Sequence, residues 1–169
     1  WNDNPFFIPD EVYNHFNDTF INRGIKAHAE WEKMFEKYKS LYPTEATYLE
    51  DDINGLLPSF EFPKYELHYK EASRKTSGTV LNLIARRVSG IVGGSADVAG
   101  STFTDIEKDK LFDFNSYNGR NIRYGIREFA MSCAQSGMLL HGGIRSFVGV
   151  FAVFADYLKP SIRTASLMK

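Results

Sequence analysis

The chain has a single cysteine, Cys133, so it can form no internal disulfide, and a lone thiol fits a reducing compartment such as the cytoplasm. It lacks any apolar run long enough to cross a bilayer. Charged residues stand near the N-terminus where a signal peptide needs its apolar stretch, so neither export nor a membrane is expected. Charge of one sign is not in excess: the formal net charge is -1. Basic residues are dispersed among acidic ones and leave no electrostatic footprint for nucleic acid or an anionic membrane. Histidine is sparse, and His15, His28, His68 and His141 include no pair at metal-binding spacing with a neighbouring acid or cysteine. No internal repeat or low-complexity segment occurs. A metabolite-sized partner is the expectation that remains.

What is present suffices for one ordinary core with or without an appendage, since 43% of the 169 residues are hydrophobic and 24% charged. The chain starts at Trp1 and stops at Lys169 within a helical pattern that has no glycine or asparagine to end it, so excision from something longer is expected. From Pro9 to Tyr42, Val12, Phe16, Phe20, Trp31, Met34 or Phe35, Tyr38 and Leu41 recur at helical spacing. Asn22, Arg23 and Gly24 are expected to split this stretch into two helices, and Thr44 or Glu45 to open a third reaching about Asn54. Pro58 and Pro63 then bound an extended connector, where a domain boundary is expected.

Beyond the connector, helical patterns alternate with short glycine-bounded or β-rich runs, which signals an α/β fold with a mainly parallel sheet. A helix over Ser73–Val88 with Val80, Leu81, Ile84 and Val88 inward is followed by a buried strand around Ile91 and Val92. Asn121–Tyr124 reads as a second strand, Ile126–Leu140 as a helix, Phe147–Phe154 as a third strand, and Pro160 as a helix start.

Several motifs admit both plain and functional readings. Gly93-Gly94-Ser95-Ala96-Asp97 is no nucleophile elbow, because Asp97 stands where the second glycine is needed. Neither a dinucleotide fingerprint nor a P-loop spacing is present. Gly93 and Gly94 read as a tight turn closing a strand, a place where α/β sheets hold ligands. His141-Gly142-Gly143 reads as a helix end rather than an oxyanion turn, and His141 receives no catalytic role. Glu128 falls in a helix's first turn, where a carboxylate opposes the positive end of the dipole. Phe151, Phe154 and Tyr157 read as core: their three-residue spacing suits a helix, while in a strand Phe151 and Val153 would share one face and Phe154 the other. Arg74 and Lys75, beside Ser73 and Thr76, could hold a phosphate.

The order of these pieces resembles transketolase. The resemblance runs through Ser73-Arg74-Lys75, Gly93-Gly94-Ser95-Ala96-Asp97-Val98, Ser101, Gly119-Arg120-Asn121-Ile122-Arg123-Tyr124-Gly125-Ile126-Arg127-Glu128, His141-Gly142-Gly143, Phe151 to Tyr157, and Ile162-Arg163 to Leu167-Met168-Lys169. So many ordered motifs match the pyrimidine-binding domain of that family. The resemblance implies a thiamine diphosphate-binding α/β fold over residues 63–169, truncated at its C-terminus. Residues 1–62 would be the helical tail of the preceding diphosphate-binding domain plus a linker, with Trp1 to Phe7 and Pro9-Asp10-Glu11-Val12 looking like its closing segment.

Carried over by motif, Glu128 implies the glutamate that hydrogen-bonds the cofactor's aminopyrimidine ring. A carboxylate shielded from water gains proton affinity, which suits sharing a proton with a ring nitrogen. Phe151, Phe154 and Tyr157 match the aromatic lining of the pyrimidine pocket. Asp97 and Val98 match cofactor contacts, Val98 standing where leucine is commoner, and Phe129 follows the glutamate where some members carry histidine. Arg74 and Ser101 match the residues that grip a sugar phosphate. The resemblance thus implies transfer of a two-carbon ketol unit between sugar phosphates by a homodimer. Thiamine diphosphate would be held with magnesium or calcium by a diphosphate-binding domain whose Gly-Asp-Gly motif these residues lack, so the fragment alone should be inactive. Dihydroxyacetone synthase is a rival within the same chemistry, and 1-deoxyxylulose-5-phosphate synthase fits the motifs less well. A non-catalytic dimerisation or regulatory module is a rival outside that chemistry, though such a scaffold would need neither Glu128 nor the phosphate residues.

Overall fold

A computed structural model describes residues 4–168. Trp1, Asn2, Asp3 and Lys169, which include the start of the Trp1–Phe7 segment and the end of the Leu167–Lys169 landmark, lie outside the described residues. The chain separates into two units, Trp1–Thr47 and Tyr48–Lys169.

In the first unit the periodic apolar positions after Pro9 form one helical path. Helix α1 (Asp10–Phe16) passes through a π-helical stretch, Asn17–Ile21, into α2 (Asn22–Leu41). Pro9 suits the entry because it gives up an N–H that no helical carbonyl would accept, and Asp10 and Glu11 oppose the positive end of the dipole. The break expected at Asn22–Gly24 is absent. One interior glycine costs only about 1 kcal/mol, and strong helical sequence on both sides outweighs it. The irregularity falls a turn earlier, where the π-stretch absorbs an extra residue. Rings three or four residues apart meet along the helix, with Phe16–Phe20 centroids 5.5 Å and Trp31–Phe35 centroids 5.0 Å apart. Helix α3 (Pro43–Ile53) follows Tyr42.

The second unit continues from Tyr48 in α3. Residues 56–66 carry no regular structure, in keeping with Pro58 and Pro63. Then come α4 (Ser73–Ala85), β1 (Ile91–Ser95), the short α5 (Ala99–Thr102), β2 (Asn121–Arg123), α6 (Glu128–His141), β3 (Arg145–Gly149), a 3₁₀ helix (Ala152–Tyr157) and α7 (Lys159–Met168). The three strands form an all-parallel sheet in the order β2-β1-β3. Phe147 and Val148 are adjacent in β3 and point to opposite faces. Phe147 packs with Ala85, Val88, Ile91 and Ile106, whereas Val148 packs with Ala96, Met131 and Leu158. Helix α4 lies at the first cluster and α6 and the start of α7 at the second, so the sheet is covered on both faces as parallel sheets require.

Three expectations are corrected here. Gly93 and Gly94 are not a turn; they lie buried inside β1, the central strand. A Cβ on Gly93 would overlap the carbonyl of Phe147, and one on Gly94 the carbonyl of Ile122. The flanking strands come so close that side chains have no room. The third strand is β3 rather than Phe147–Phe154, because β1 ends at Ser95 opposite Gly149 and offers no ladder partner beyond it. The chain therefore closes its own bonds, Phe154 N–H donating to the Phe151 carbonyl at 2.9 Å, and Phe151 and Val153 share no strand face. Finally, α4 stops at Ala85 rather than Val88. Its last carbonyl and that of Val88 in the turn beyond it are taken from outside, Arg120 Nη1 donating to Ala85 at 2.9 Å and to Val88 at 3.1 Å.

Arg120 also pairs with Asp109, while its neighbour Asn121 accepts from Ile106 N–H at 2.8 Å and donates to the Ile106 carbonyl at 2.9 Å. Together they fasten the long loop before β2 to α4 and the core. Burial by itself would raise the Asp109 carboxyl. The hydrogen bond and charge of Arg120, with a backbone bond from Lys110, overcome this and hold it below its ordinary 3.8. A depressed folded value means that the pair's contribution is fully present above the unfolded value and is lost as pH falls through the folded one. Asp109→Asn should therefore lower Tm at neutral pH and flatten the fall of Tm between about pH 4 and pH 2. A titration of Tm showing parallel curves for the two proteins would refute this.

Candidate functional site

In a parallel sheet the strands all deliver their loops to one edge, where ligands are held. The exits of β1, β2 and β3 here carry most of the residues singled out from the sequence. After β1, Ala96 is buried, Asp97 is exposed on left-handed backbone at φ 63, and Val98 is half-buried before α5. Left-handed backbone is tolerated by aspartate better than by most side chains. Ser101 lies in α5, exposed, its N–H donating to the Val98 carbonyl at 3.1 Å.

After β2 the chain turns through Tyr124, Gly125, Ile126 and Arg127, and Glu128 is the first residue of α6, half-buried. Its carboxylate stands at the positive end of a helix that runs to His141. After β3, Phe151 and Phe154 are half-buried and Tyr157 is exposed. Their rings form a chain, Phe151–Phe154 and Phe154–Tyr157 each at 6.3 Å between centroids. The exits of β1 and β3 are tied by the Ser95 hydroxyl, fully buried, which donates to the Gly149 carbonyl at 2.6 Å. Rings, a carboxylate at a helix start and a second carboxylate on a strained turn thus share one edge. That combination can stack on a flat ring and exchange a proton with it.

The edge is an open surface with apolar content: Ile126 is 78% exposed and Val153 73% exposed. Arg74 is exposed in the first turn of α4. Helices α4 and α5, which carry Arg74 and Ser101, are packed neighbours. The cleft of about 350 Å³ between them is lined instead by Glu71, Lys75, Asn82, Asp105 and Glu107, among others. Among the described residues no group of three or more His, Cys, Asp or Glu is arranged to hold a metal ion, and no helix is long and apolar enough to cross a membrane.

Two residues beneath the edge were given no role from the sequence. Tyr124 follows β2 directly, with its hydroxyl buried and outside hydrogen-bonding geometry. Burial raises its phenol above the ordinary 10.0, with the Ser146 hydroxyl pulling weakly the other way. A tyrosine at a strand end looks like an ordinary β-former, so nothing marked it. Arg127 folds back on the turn, its Nη1 donating to the Tyr124 carbonyl at 2.9 Å. Its place between Gly125 and Glu128 was the available signal.

Residues 70–169 match the family described as transketolase, pyrimidine binding domain, and residues 1–58 the one described as transketolase, thiamine diphosphate binding domain. The chain is 48% identical over 166 residues to the transketolase of Bacillus subtilis and 45% identical to that of Geobacillus stearothermophilus, in each case over 96% of this chain and 25% of the relative. Among solved structures it is similar to the Pichia stipitis transketolase complexed with sedoheptulose 7-phosphate, with a TM-score of 0.86 and 31% identity over 95% of this chain and 25% of that one. The Leishmania mexicana transketolase gives a TM-score of 0.84 at 29% identity, covering 95% of this chain and 24% of that one. The chain therefore spans about a quarter of the length of the curated relatives it matches.

Proposed function

This chain belongs to the transketolase family, and from that premise we propose that it is part of a thiamine diphosphate-dependent enzyme that transfers a two-carbon ketol unit from a ketose phosphate to an aldose phosphate. In this reading residues 1–62 are the helical tail of a diphosphate-binding domain with its linker, and residues 63–169 are the pyrimidine-binding domain. The observation that carries the proposal is the gathering of Asp97, Val98, Glu128, Phe151, Phe154 and Tyr157 beyond the C-terminal ends of three parallel strands.

These residues fit the pyrimidine half of the cofactor by their chemistry. The ring chain from Phe151 to Tyr157 offers flat faces to a flat heterocycle and excludes water from it. Glu128 would hold the pyrimidine nitrogen through a shared proton from the start of α6, and Asp97 and Val98 would bound the same ring from the β1 exit. The bound cofactor supplies the electron sink for breaking and forming the carbon–carbon bond. Arg74 and Ser101 hold the phosphate of the sugar, a guanidinium and a hydroxyl together matching several acceptor oxygens.

The metal, magnesium or calcium, and the diphosphate are held by parts of the protein outside these residues. The open apolar edge around Ile126 and Val153 suits a second subunit that completes the site, so the enzyme is a homodimer; the single cysteine of this chain, Cys133, fits work in the reducing cytoplasm. The test is ketol transfer from xylulose 5-phosphate to ribose 5-phosphate by the full-length protein with magnesium and thiamine diphosphate. Transfer in the presence of both, lost when thiamine diphosphate is withheld, is the expected result. A full-length protein without transfer would reject the proposal.

A further inference from the structure

We propose that Arg127 is a positioning residue that fixes where Glu128 stands, an inference that rests on the cofactor role proposed for Glu128. Between the end of β2 and the start of α6 the backbone must reverse, and Arg127 holds that reversal at three points. Its own N–H donates to the Gly125 carbonyl at 2.8 Å, and its carbonyl accepts from Met131 N–H at 2.8 Å, opening the helical ladder of α6. Its Nη1 donates to the Tyr124 carbonyl at 2.9 Å. The anchor is firm, because Tyr124 N–H donates to the Ser95 carbonyl at 3.3 Å and the Tyr124 ring packs against the cluster of Ala96, Met131 and Leu158. The guanidinium thus couples the helix start to the central strand and the core.

Gly125 belongs to the same device. It sits at φ 66, and a Cβ there would overlap Arg127 Nη1, so the glycine leaves room for the guanidinium. Stability alone does not favour a cation at this place, since a positive charge at a helix N-terminus opposes the dipole. What the arginine supplies is geometry. Glu128 is the next residue, and any tilt of the turn carries its carboxylate with it. A displacement of about 1 Å at a reacting group can lower a rate about 100-fold.

The test uses the full-length protein with magnesium and thiamine diphosphate. Arg127→Ala should raise the cofactor concentration for half-maximal binding about tenfold or more, with a much smaller change in the KM for the sugar phosphates and in the Tm without cofactor. Arg127→Lys keeps a donor for the Tyr124 carbonyl and should recover part of the loss. Gly125→Ala should mimic Arg127→Ala, and the double variant should lose less than the product of the two single losses. Cofactor affinity in Arg127→Ala within about twofold of the parent, multiplicative losses, or a lysine variant no better than alanine would overturn the proposal. If the unsubstituted protein binds no thiamine diphosphate, the functional reading falls on its own. Amide exchange over residues 128–131 then decides: faster exchange in Arg127→Ala supports the positioning role, and unchanged exchange overturns it.

Discussion

Replacing Glu128 by alanine in the full-length protein is expected to lower kcat/KM for ketol transfer by at least about 100-fold, the contribution of a positioned proton-transfer group. Folding should survive. Glu128 is half-buried at the first position of α6, and the loss of one favourable charge–dipole contact there costs only about 0.3–1 kcal/mol. Glu128→Gln separates two roles. It preserves shape and hydrogen bonding but cannot give or take the proton, so it should bind the cofactor better than alanine does and still transfer poorly. Steady-state kinetics at saturating thiamine diphosphate decide the matter, and a Gln variant within about tenfold of the parent would remove Glu128 from the proton-transfer step.

The second large effect concerns the sheet that carries the site. Gly94→Ala would drive a Cβ into the Ile122 carbonyl of β2, and a backbone atom held in a parallel ladder cannot step aside as a side chain can. A destabilisation of about 3 kcal/mol or more is expected, at the upper end for overpacking, seen as lost soluble expression or a large fall in Tm. Gly137→Ala is the control. That glycine lies within α6, and a Cβ there would meet nothing within 4 Å, so alanine should stabilise the helix by about 0.5–1 kcal/mol. If both variants behaved alike, close approach of the strands would not be the reason for glycine in β1.

Much of this protein was legible in the residue order. Helical spacing and helix-start residues such as Thr44 and Pro160 located α1 to α4, α6 and α7, and short glycine-bounded apolar runs located β1. Ordered motifs identified the family, because motif chemistry is written in consecutive residues. The same local signals misled where a partner decided the outcome. The aromatic run Phe151–Phe154 looked like strand by propensity, but the length of β1 ended the ladder at Gly149. Gly93 and Gly94 looked like a turn because glycine permits turns, whereas the flanking carbonyls of Phe147 and Ile122 explain them as strand residues.

The sequence by itself therefore determined the class of fold, the family and the chemical kind of each candidate residue. Those properties depend on periodicity and side-chain type. Only the tertiary structure decided that Asp97, Glu128 and Phe151, far apart in the chain, leave the same edge of one sheet, and that Arg127 folds back onto Tyr124. The physical reason is that strand order, register and the reach of a side chain depend on atoms brought close by folding, which no local pattern encodes.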